Sequence, residues 1–286
     1  MKKIRVATRK SALALAQTKI VCDRIERAGY EAEIVTVSTR GDKDQSSPLS
    51  AIGGDGLFVR EIEGLLLRKE ADIAVHSAKD LPYELSEGLV IAATPDMADA
   101  SDVLLSANGC DRPKVVGTSS PRRVEEVKAL YPDAVCKDIR GNIDTRLRKL
   151  REGQYDAILL AKAGIDRLQP DLRGLLVRTL EPEEMIPAPC QGILAVECRQ
   201  SDRDITDLLS RIDDENARRR FLMERRIFCE CRVDCKSSVG VYAKWRKEAF
   251  RLYVTIRGHR TVYEGNAQDA EEVIHRMVQA YQKERT

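Results

Sequence analysis

Hydrophobic residues in the first third of the chain follow two alternating periods. IRVATR reads as a short apolar strand. After it Leu13, Ala16, Ile20 and Ile25 share one helical face, with Ser11 placed to cap the helix and Ala28-Gly29 to end it. EAEIVTVSTRGD predicts a strand ending in a loop, LFVREIEGLLLRKEA a helix, ADIAVHSAKDLP a buried strand entering a polar turn, and LVIAATP another strand. The pattern restarts near residue 100. KVVGTSS, AVCKDIRGN and YDAILLA read as strands, and PRRVEEVKALYP, DTRLRKLREG and KAGIDRL as helices, with Pro121 at the favoured first turn. QGILAVECR predicts a strand returning to the first domain, and a charged helix follows from Asp204 to about Phe228. Beyond it VGVYAKW, FRLYVTIRG and TVYEG alternate as strands do, and AQDAEEVIHRMVQAYQKER is an amphipathic helix.

Repeated β-α units predict mainly parallel, doubly wound sheets, so the expected class is α/β. A chain of 286 residues suits two or three domains. The expected division is a discontinuous α/β domain over 1–98 with 191–215, a second α/β domain over 99–190, and a small α+β domain over 216–286.

Composition narrows the class only at its edges. No apolar run approaches the roughly 20 residues needed to span a bilayer. The start, MKKIRVATRKSALALAQ, has Arg5, Arg9, Lys10 and Gln17 interrupting its apolar part, so it lacks the continuous core of a signal peptide. A cytoplasmic protein without structural disulfides is expected. The net charge of +2 gives no general reason to expect a nucleic acid or a membrane as partner. The run Arg218-Arg219-Arg220 with Arg225-Arg226 is interleaved with acids and reads as a solvated helix face.

The positive charge is instead gathered at strand ends, where open α/β sheets bind ligands. Those ends deliver Arg9 and Ser11, Arg40 and Asp42, then Ser77, Lys79 and Asp80; in the second half they deliver Thr118, Ser119, Ser120, Arg122, Arg123 and Arg140, with Arg146 on the next helix. Many guanidiniums with two helix N-termini suit a polyanion bearing several carboxylates, each able to take a bidentate arginine. The plainer alternative for any single arginine is a solvated face. Asp80, beside Lys79, reads as a general acid/base or cation stabiliser, or as a turn aspartate before Leu81-Pro82. His76 reads as a satisfied, partly buried histidine, and Gly53-Gly54-Asp55-Gly56 as a flexible loop without a phosphate-loop spacing.

Three cysteines, Cys229, Cys231 and Cys235, fall within seven residues. A metal, a disulfide, a reactive thiol and an incidental cluster all remain open. The C-x-C-x₃-C spacing lacks the second pair that structural zinc usually shows, and no metal is expected. Cys22, Cys110, Cys136 and Cys198 read as small buried or incidental thiols, and Trp245, Tyr242 and Tyr253 as core of the small domain.

TRKSALALAQ, STRGD, GLFVREIE, ADIAVHSAKDLP, VGTSSPRR, IRGNIDTRLRKL, YDAILLAKAGIDRL and PAPCQGILAVECR occur in the order found in the hydroxymethylbilane synthase (porphobilinogen deaminase) family, which the chain resembles over essentially its whole length. The resemblance implies two periplasmic-binding-protein-like domains plus a small cysteine-bearing domain. The implied enzyme is a transferase that condenses four porphobilinogen molecules head to tail, with loss of ammonia, to linear hydroxymethylbilane. It implies a covalent dipyrromethane cofactor on one cysteine. Cys235 is the matching position, because Val239-Gly240-Val241-Tyr242-Ala243 follows it at the family distance. It implies that Asp80 contacts the pyrrole nitrogens, assists loss of the amino group and stabilises the resulting cation, beside Lys79. Arg9, Ser11, Lys79, Arg122, Arg123, Arg140 and Arg146 would bind acetate and propionate groups, and Ser77, Thr118, Ser119, Ser120 and Gln191 would add hydrogen bonds. A monomer, with the product passed to a uroporphyrinogen-III synthase, is also implied.

Departures from the family pattern are Val233-Asp234 for two glycines, Ser238 for a proline, Asp55 for a lysine, Cys190 for a glycine, and Asp144 and Lys162 for small residues. They set a second reading beside the first: a divergent binding protein that holds a tetrapyrrole or another polycarboxylate without elongating it.

Overall fold

The computed structural model describes residues 3–37, 59–107, 109–232 and 238–283. The first elements in chain order are β1 (Lys3–Arg9), α1 (Ala12–Arg27), β2 (Glu31–Val37), α2 (Arg60–Leu67), β3 (Ile73–Ser77) and β4 (Leu89–Ala93). Next come β5 (Asp102–Ala107), β6 (Val115–Gly117), α3 (Pro121–Leu130), β7 (Val135–Lys137), α4 (Ile143–Arg151), β8 (Ala157–Ala161), α5 (Lys162–Leu168) and β9 (Leu175–Leu180). The last are β10 (Leu194–Arg199), α6 (Arg203–Ile212), α7 (Glu215–Glu230), β11 (Val239–Arg246), β12 (Ala249–Ile256), β13 (His259–Asn266) and α8 (Ala270–Lys283). Backbone packing gives two compact units, 1–98 with 192–221 and 99–191 with 222–286.

The first unit is built on a five-stranded sheet ordered β2-β1-β3-β10-β4. β1 pairs parallel with β2 and β3, while β10 runs antiparallel between β3 and β4. Side chains that alternate across this sheet bury both faces. Ile4, Val6, Ile73, Val75, Leu194 and Val196 pack under Val21, Ile25, Leu208 and Leu209 of α1 and α6, while Ala7 and Ala74 face Ile62 and Leu66 of α2. Helices on both faces make the sheet doubly wound. The expected return of QGILAVECR is β10, a strand that is buried along its whole length.

The second unit contains a sheet of the same plan, ordered β7-β6-β8-β5-β9, with β5 as the antiparallel strand. Val103, Leu105, Ile158 and Leu160 face Leu147 and Leu150 of α4, and Leu104, Ala157 and Leu159 face Val127 of α3. In both sheets four strands point one way and one points back. The sequence pattern predicts all five strands of the first sheet but only β6, β7 and β8 of the second, and in neither does periodicity carry the direction of the reversed strand.

The second unit also holds the antiparallel sheet β11-β12-β13, whose inner face packs against α8 and the end of α7 through Val241, Leu252, Val254, Ile274 and Met277. Trp245 packs against Phe250 in a tilted pair, ring centroids 4.9 Å apart, beside this core, and Cys231 is buried in it. The arginine run of α7 is less solvated than expected. Arg220 is buried, Arg218 bonds Asp213, and Arg226 reaches Glu230 and Glu271. No helix of the described residues is long and apolar enough to cross a membrane.

β11 approaches the 186–187 backbone closely. The Val241 N–H donates to Pro187 O at 3.0 Å, and a Cβ on Gly240 would lie 2.7 Å from both Ile186 O and Thr255 Cγ2. Only a residue without a side chain fits there. Gly240→Ala is therefore expected to destabilise the protein by about 1–3 kcal/mol, read as a lowered midpoint of urea unfolding.

Candidate active site

In the first unit the parallel strands end together, and the carboxyl end of β3 carries the residues singled out from sequence. Ser77 closes the strand, and its hydroxyl both accepts from Gln17 Nε2 (2.8 Å) and donates to Gln17 Oε1 (3.2 Å). A single 3₁₀ turn, Ala78–Asp80, follows. The Ala78 N–H donates to Ile193 O, just ahead of β10, and Leu81 plugs the core at 2% exposure. The turn is thus fixed from three sides. Lys79 is half-buried, whereas Asp80 is exposed, and its carboxylate has no hydrogen-bond or ion-pair partner among the described residues. A carboxylate on a pinned turn with its acceptor sites uncommitted is equipped to meet an N–H donor or a developing cation.

Arg9 ends β1 half-buried, and Ser11 caps α1, its Oγ accepting the Ala14 N–H at 3.3 Å. Arg40, Asp42, Asp55 and the 53–56 loop lie outside the described residues, as do Val233, Asp234 and Cys235. Among the flanking thiols, Cys229 is half-buried on α7 and Cys231 is one residue past its end. Cys22 and Cys198 are core thiols, pushed up to about 11 by burial.

In the second unit the carboxyl end of β6 leads into Thr118-Ser119-Ser120 and α3. Ser119 Oγ bridges to Ile139, donating to its carbonyl at 2.9 Å and accepting its N–H at 3.0 Å. Thr118 Oγ1 accepts the Ser120 N–H, and Ser120 Oγ caps α3 at the Arg123 N–H, with Pro121 at the first helical position. Ser119 thereby spends its proton on the fold, while Thr118 and Ser120 act within it as acceptors and keep theirs.

Arg122 and Arg123 are buried, at 3% and 8% exposure. Both reach Asp102, which the antiparallel direction of β5 brings to this edge. Arg122 Nη2 meets Asp102 Oδ2 and Arg123 Nη2 meets Oδ1, each at 2.7 Å. Arg122 also donates to Ile186 O, Arg123 to Leu159 O, and Gln191 Nε2 to Asp102 Oδ1 (2.9 Å) and Ala100 O. Burial alone would raise the Asp102 carboxyl, but the two guanidiniums overcome it and hold the group well below the usual carboxylate range.

One carboxylate does not neutralise this end of the sheet. Arg146, half-buried on α4, is pushed down to about 10 by burial and then by the like charges of Arg123 and Arg140. Its Nε donates to Gly141 O. Gly141 adopts φ +112°, where a Cβ would also strike Thr145, so the IRGN turn requires glycine. Arg122 Nε, Arg123 Nε and Arg140 Nη1 are buried donors without a partner among the described residues. Unpaired buried N–H groups amid surplus positive charge favour an incoming anion.

The sequence departures acquire physical meaning here. Cys190 adopts φ +62°, a region that favours glycine, and its N–H donates to buried Glu224 Oε2 at 2.6 Å. Lys162 pairs with Asp166 at 2.6 Å, so its charge is locally spent. Asp144 lies in the first turn of α4, where an acid complements the helix dipole. Sequence reasoning missed Asp102, Gln17 and Glu224. A polar residue opening an apolar strand (SDVLL) is the one signal that marks Asp102.

Asp102→Asn leaves two buried guanidiniums without their charge partner and is expected to destabilise the protein by about 3–5 kcal/mol in urea unfolding at pH 7. The wild-type carboxyl is depressed on folding, so its contribution is full above the unfolded value of about 4 and is lost as pH falls below it. The variant lacks that part of the acid limb.

Residues 4–207 match the family described as "Porphobilinogen deaminase, dipyromethane cofactor binding domain". The probable porphobilinogen deaminase of Picrophilus torridus is 41% identical over 253 residues, covering 87% of this chain and 88% of that protein. The porphobilinogen deaminase of Exiguobacterium sibiricum is 43% identical over 250 residues, covering 85% and 81% respectively. Among solved structures, the second substrate binding domain of a putative amino acid ABC transporter from Streptococcus pneumoniae gives a TM-score of 0.47 at 12% identity over 78% of this chain and 97% of that one, a likeness too loose to bear on function. The length and level of the sequence matches are decisive: the chain belongs to the porphobilinogen deaminase family, the hydroxymethylbilane synthases.

Proposed function

We propose a division of labour among these residues for the family reaction, the condensation of four porphobilinogen molecules to linear hydroxymethylbilane with release of ammonia. The observation that carries it is the surplus positive charge at the β6 and β7 strand ends, with its buried unpaired donors on Arg122, Arg123 and Arg140. That donor set fits a group bearing several carboxylates, as dipyrromethane does. When bound, dipyrromethane supplies the free pyrrole carbon to which the first substrate unit is joined.

Arg122, Arg123, Arg140 and Arg146 hold acetate and propionate groups, with Arg9 and Ser11 serving the incoming porphobilinogen. The hydroxyls of Thr118 and Ser120 donate to the same carboxylates. Ser77 orients the 78–80 turn through Gln17, Ser119 fixes the loop through Ile139, and Gln191 holds Asp102 in place. Cys235 is the thioether anchor, a bond that survives every cycle and also the hydrolysis that frees the product.

Each cycle forms one carbon–carbon bond and breaks one carbon–nitrogen bond. The aminomethyl nitrogen leaves as ammonia, taking up in net terms the proton given up by the attacking ring carbon. Asp80 holds the pyrrole N–H and stabilises the positive charge that develops as nitrogen departs; Lys79 sits beside it to bind carboxylate. An exposed, uncommitted carboxylate on a fixed turn supports this assignment. We also propose the division into three domains, a cytoplasmic monomer, and transfer of the unstable product to a uroporphyrinogen-III synthase.

Asp80→Asn keeps the size of the side chain and removes its charge. Its porphobilinogen consumption is expected to fall by about 10²–10⁴-fold while its unfolding midpoint stays within experimental error of wild type. A variant that still turns over within a few-fold of wild type removes Asp80 from the chemistry.

A further inference from the structure

Three titratable side chains with no part in the proposed chemistry lie buried together on the α2 face of the first sheet. Glu197 of β10 is fully buried, His76 of β3 is 6% exposed, and Glu63 of α2 is 2% exposed. His76 Nε2 lies 3.0 Å from Glu197 Oε2. Glu63 accepts twice from Ser86, its Oε1 from the backbone N–H (3.1 Å) and its Oε2 from the hydroxyl (2.6 Å). Glu197 Oε1 is buried with no donor to satisfy it among the described residues. Its neighbour within hydrogen-bonding range is the Glu63 carboxyl, another acceptor.

Two acceptors facing each other away from water are reconciled only by a proton between them. No lysine or arginine among the described residues replaces it, and His76 faces the other oxygen, Oε2. Two residues along β10, Arg199 is committed to Leu66 O, Ala71 O and Asp202, and β4, the other neighbour of β10, is wholly apolar (LVIAA). Burial favours the protonated form of Glu197 most strongly; His76 opposes it and Glu63 adds to it, and the balance stays on the protonated side.

The cluster sits where it governs the Asp80 turn. In the β3–β10 ladder Glu197 stands opposite Ala74 and Ala195 opposite His76, so the Glu197–His76 contact is a diagonal tie across the two strands. The next residues along are Ser77, paired with Leu194, and Ala78, bonded to Ile193 O. The β10–β4 pairing slips at Val196/Glu197, a bulge of the kind that re-aims a side chain.

We propose that Glu197 is a carboxylic acid in the folded protein, donating its Oε1 proton to Glu63, and that this proton, with His76, positions the β3 end that carries Ser77–Asp80. Glu197, Glu63 and His76 are positioning residues and touch no substrate. The proton half stands alone; the positioning half rests on the proposed role of Asp80. A carboxyl raised on folding stabilises at low pH, and its contribution is lost as pH rises through the folded value. The effect on the turn is therefore alkaline.

Three readouts on the full-length protein test this against Glu197→Gln, an amide that keeps a donor toward Glu63 at every pH. Infrared spectra with ¹³C-glutamate are expected to show a protonated-carboxyl carbonyl band at pH 7 in wild type and none in the variant; its absence from wild type overturns the proton. Hydrogen exchange at the Ala78 amide is expected to lose protection in wild type relative to the variant as pH is raised; equal protection overturns the positioning. Porphobilinogen turnover, normalised to each protein's maximum, is expected to fall by about tenfold per pH unit on the alkaline side in wild type, with a flattened limb in the variant. Identical limbs also overturn the positioning. A wild type without turnover counts against the proposed reaction, and the first two readouts still decide the inference.

Discussion

Asp102 is one carboxylate shared by two buried guanidiniums, and the arginine-rich end of the second sheet depends on that arrangement. Neither Arg122 nor Arg123 could stay buried beside the other without it, because the desolvation cost of an uncompensated ion is several kcal/mol. The same carboxylate accepts the Gln191 amide, so the loop leading to β10 is tied to the base of α3. It leaves the cluster deliberately short of negative charge. Two arginines against one aspartate, with Arg140 and Arg146 nearby, keep a net positive field and unspent donors where carboxylates of a ligand would enter. Holding cations in place without quenching them is the physical requirement for recognising a polycarboxylate, and here the framework meets it with one acid.

The first unit solves a different problem, a single acid kept unpaired at a fixed position. Its turn is gripped by Gln17 on Ser77, by Ile193 on Ala78 and by the burial of Leu81, so the framework holds the backbone and leaves the Asp80 side chain uncommitted. Neutralising Asp80 with a neighbouring arginine would stabilise the turn and forfeit the role proposed for it. Both units use one device. An antiparallel strand is inserted beside parallel ones, and its first residues meet their carboxyl ends: Ile193 and Leu194 at Ser77, Asp102 at Ala161.

Much of this was legible in the sequence. Period and capping residues gave most of the strands and helices, though not β5 and β9, together with the Ser11 cap and Pro121, because those signals act within a few residues. Strand-end position and residue type gave Asp80, Ser77 and the arginine set. Asp102 was not legible, since its meaning depends on β5 running against its neighbours. The partnership of His76 with Glu197 joins residues 121 positions apart, and local periodicity carries no record of it. Arg220 was read as solvated and is buried, because a charge-rich helix segment does not reveal which of its faces is covered. Cys235 and the glycine-poor segment before it rest on sequence alone.

The most direct test of a carboxylate-binding synthase anchored at Cys235 is intact-mass analysis of the purified full-length protein and its Cys235→Ser variant, each before and after porphobilinogen. The expected result is a dipyrromethane mass on wild type, absent from the variant, and further pyrrole-sized steps on wild type when substrate is added. A wild type that stays unmodified with substrate present would contradict both the anchor and the elongating reaction.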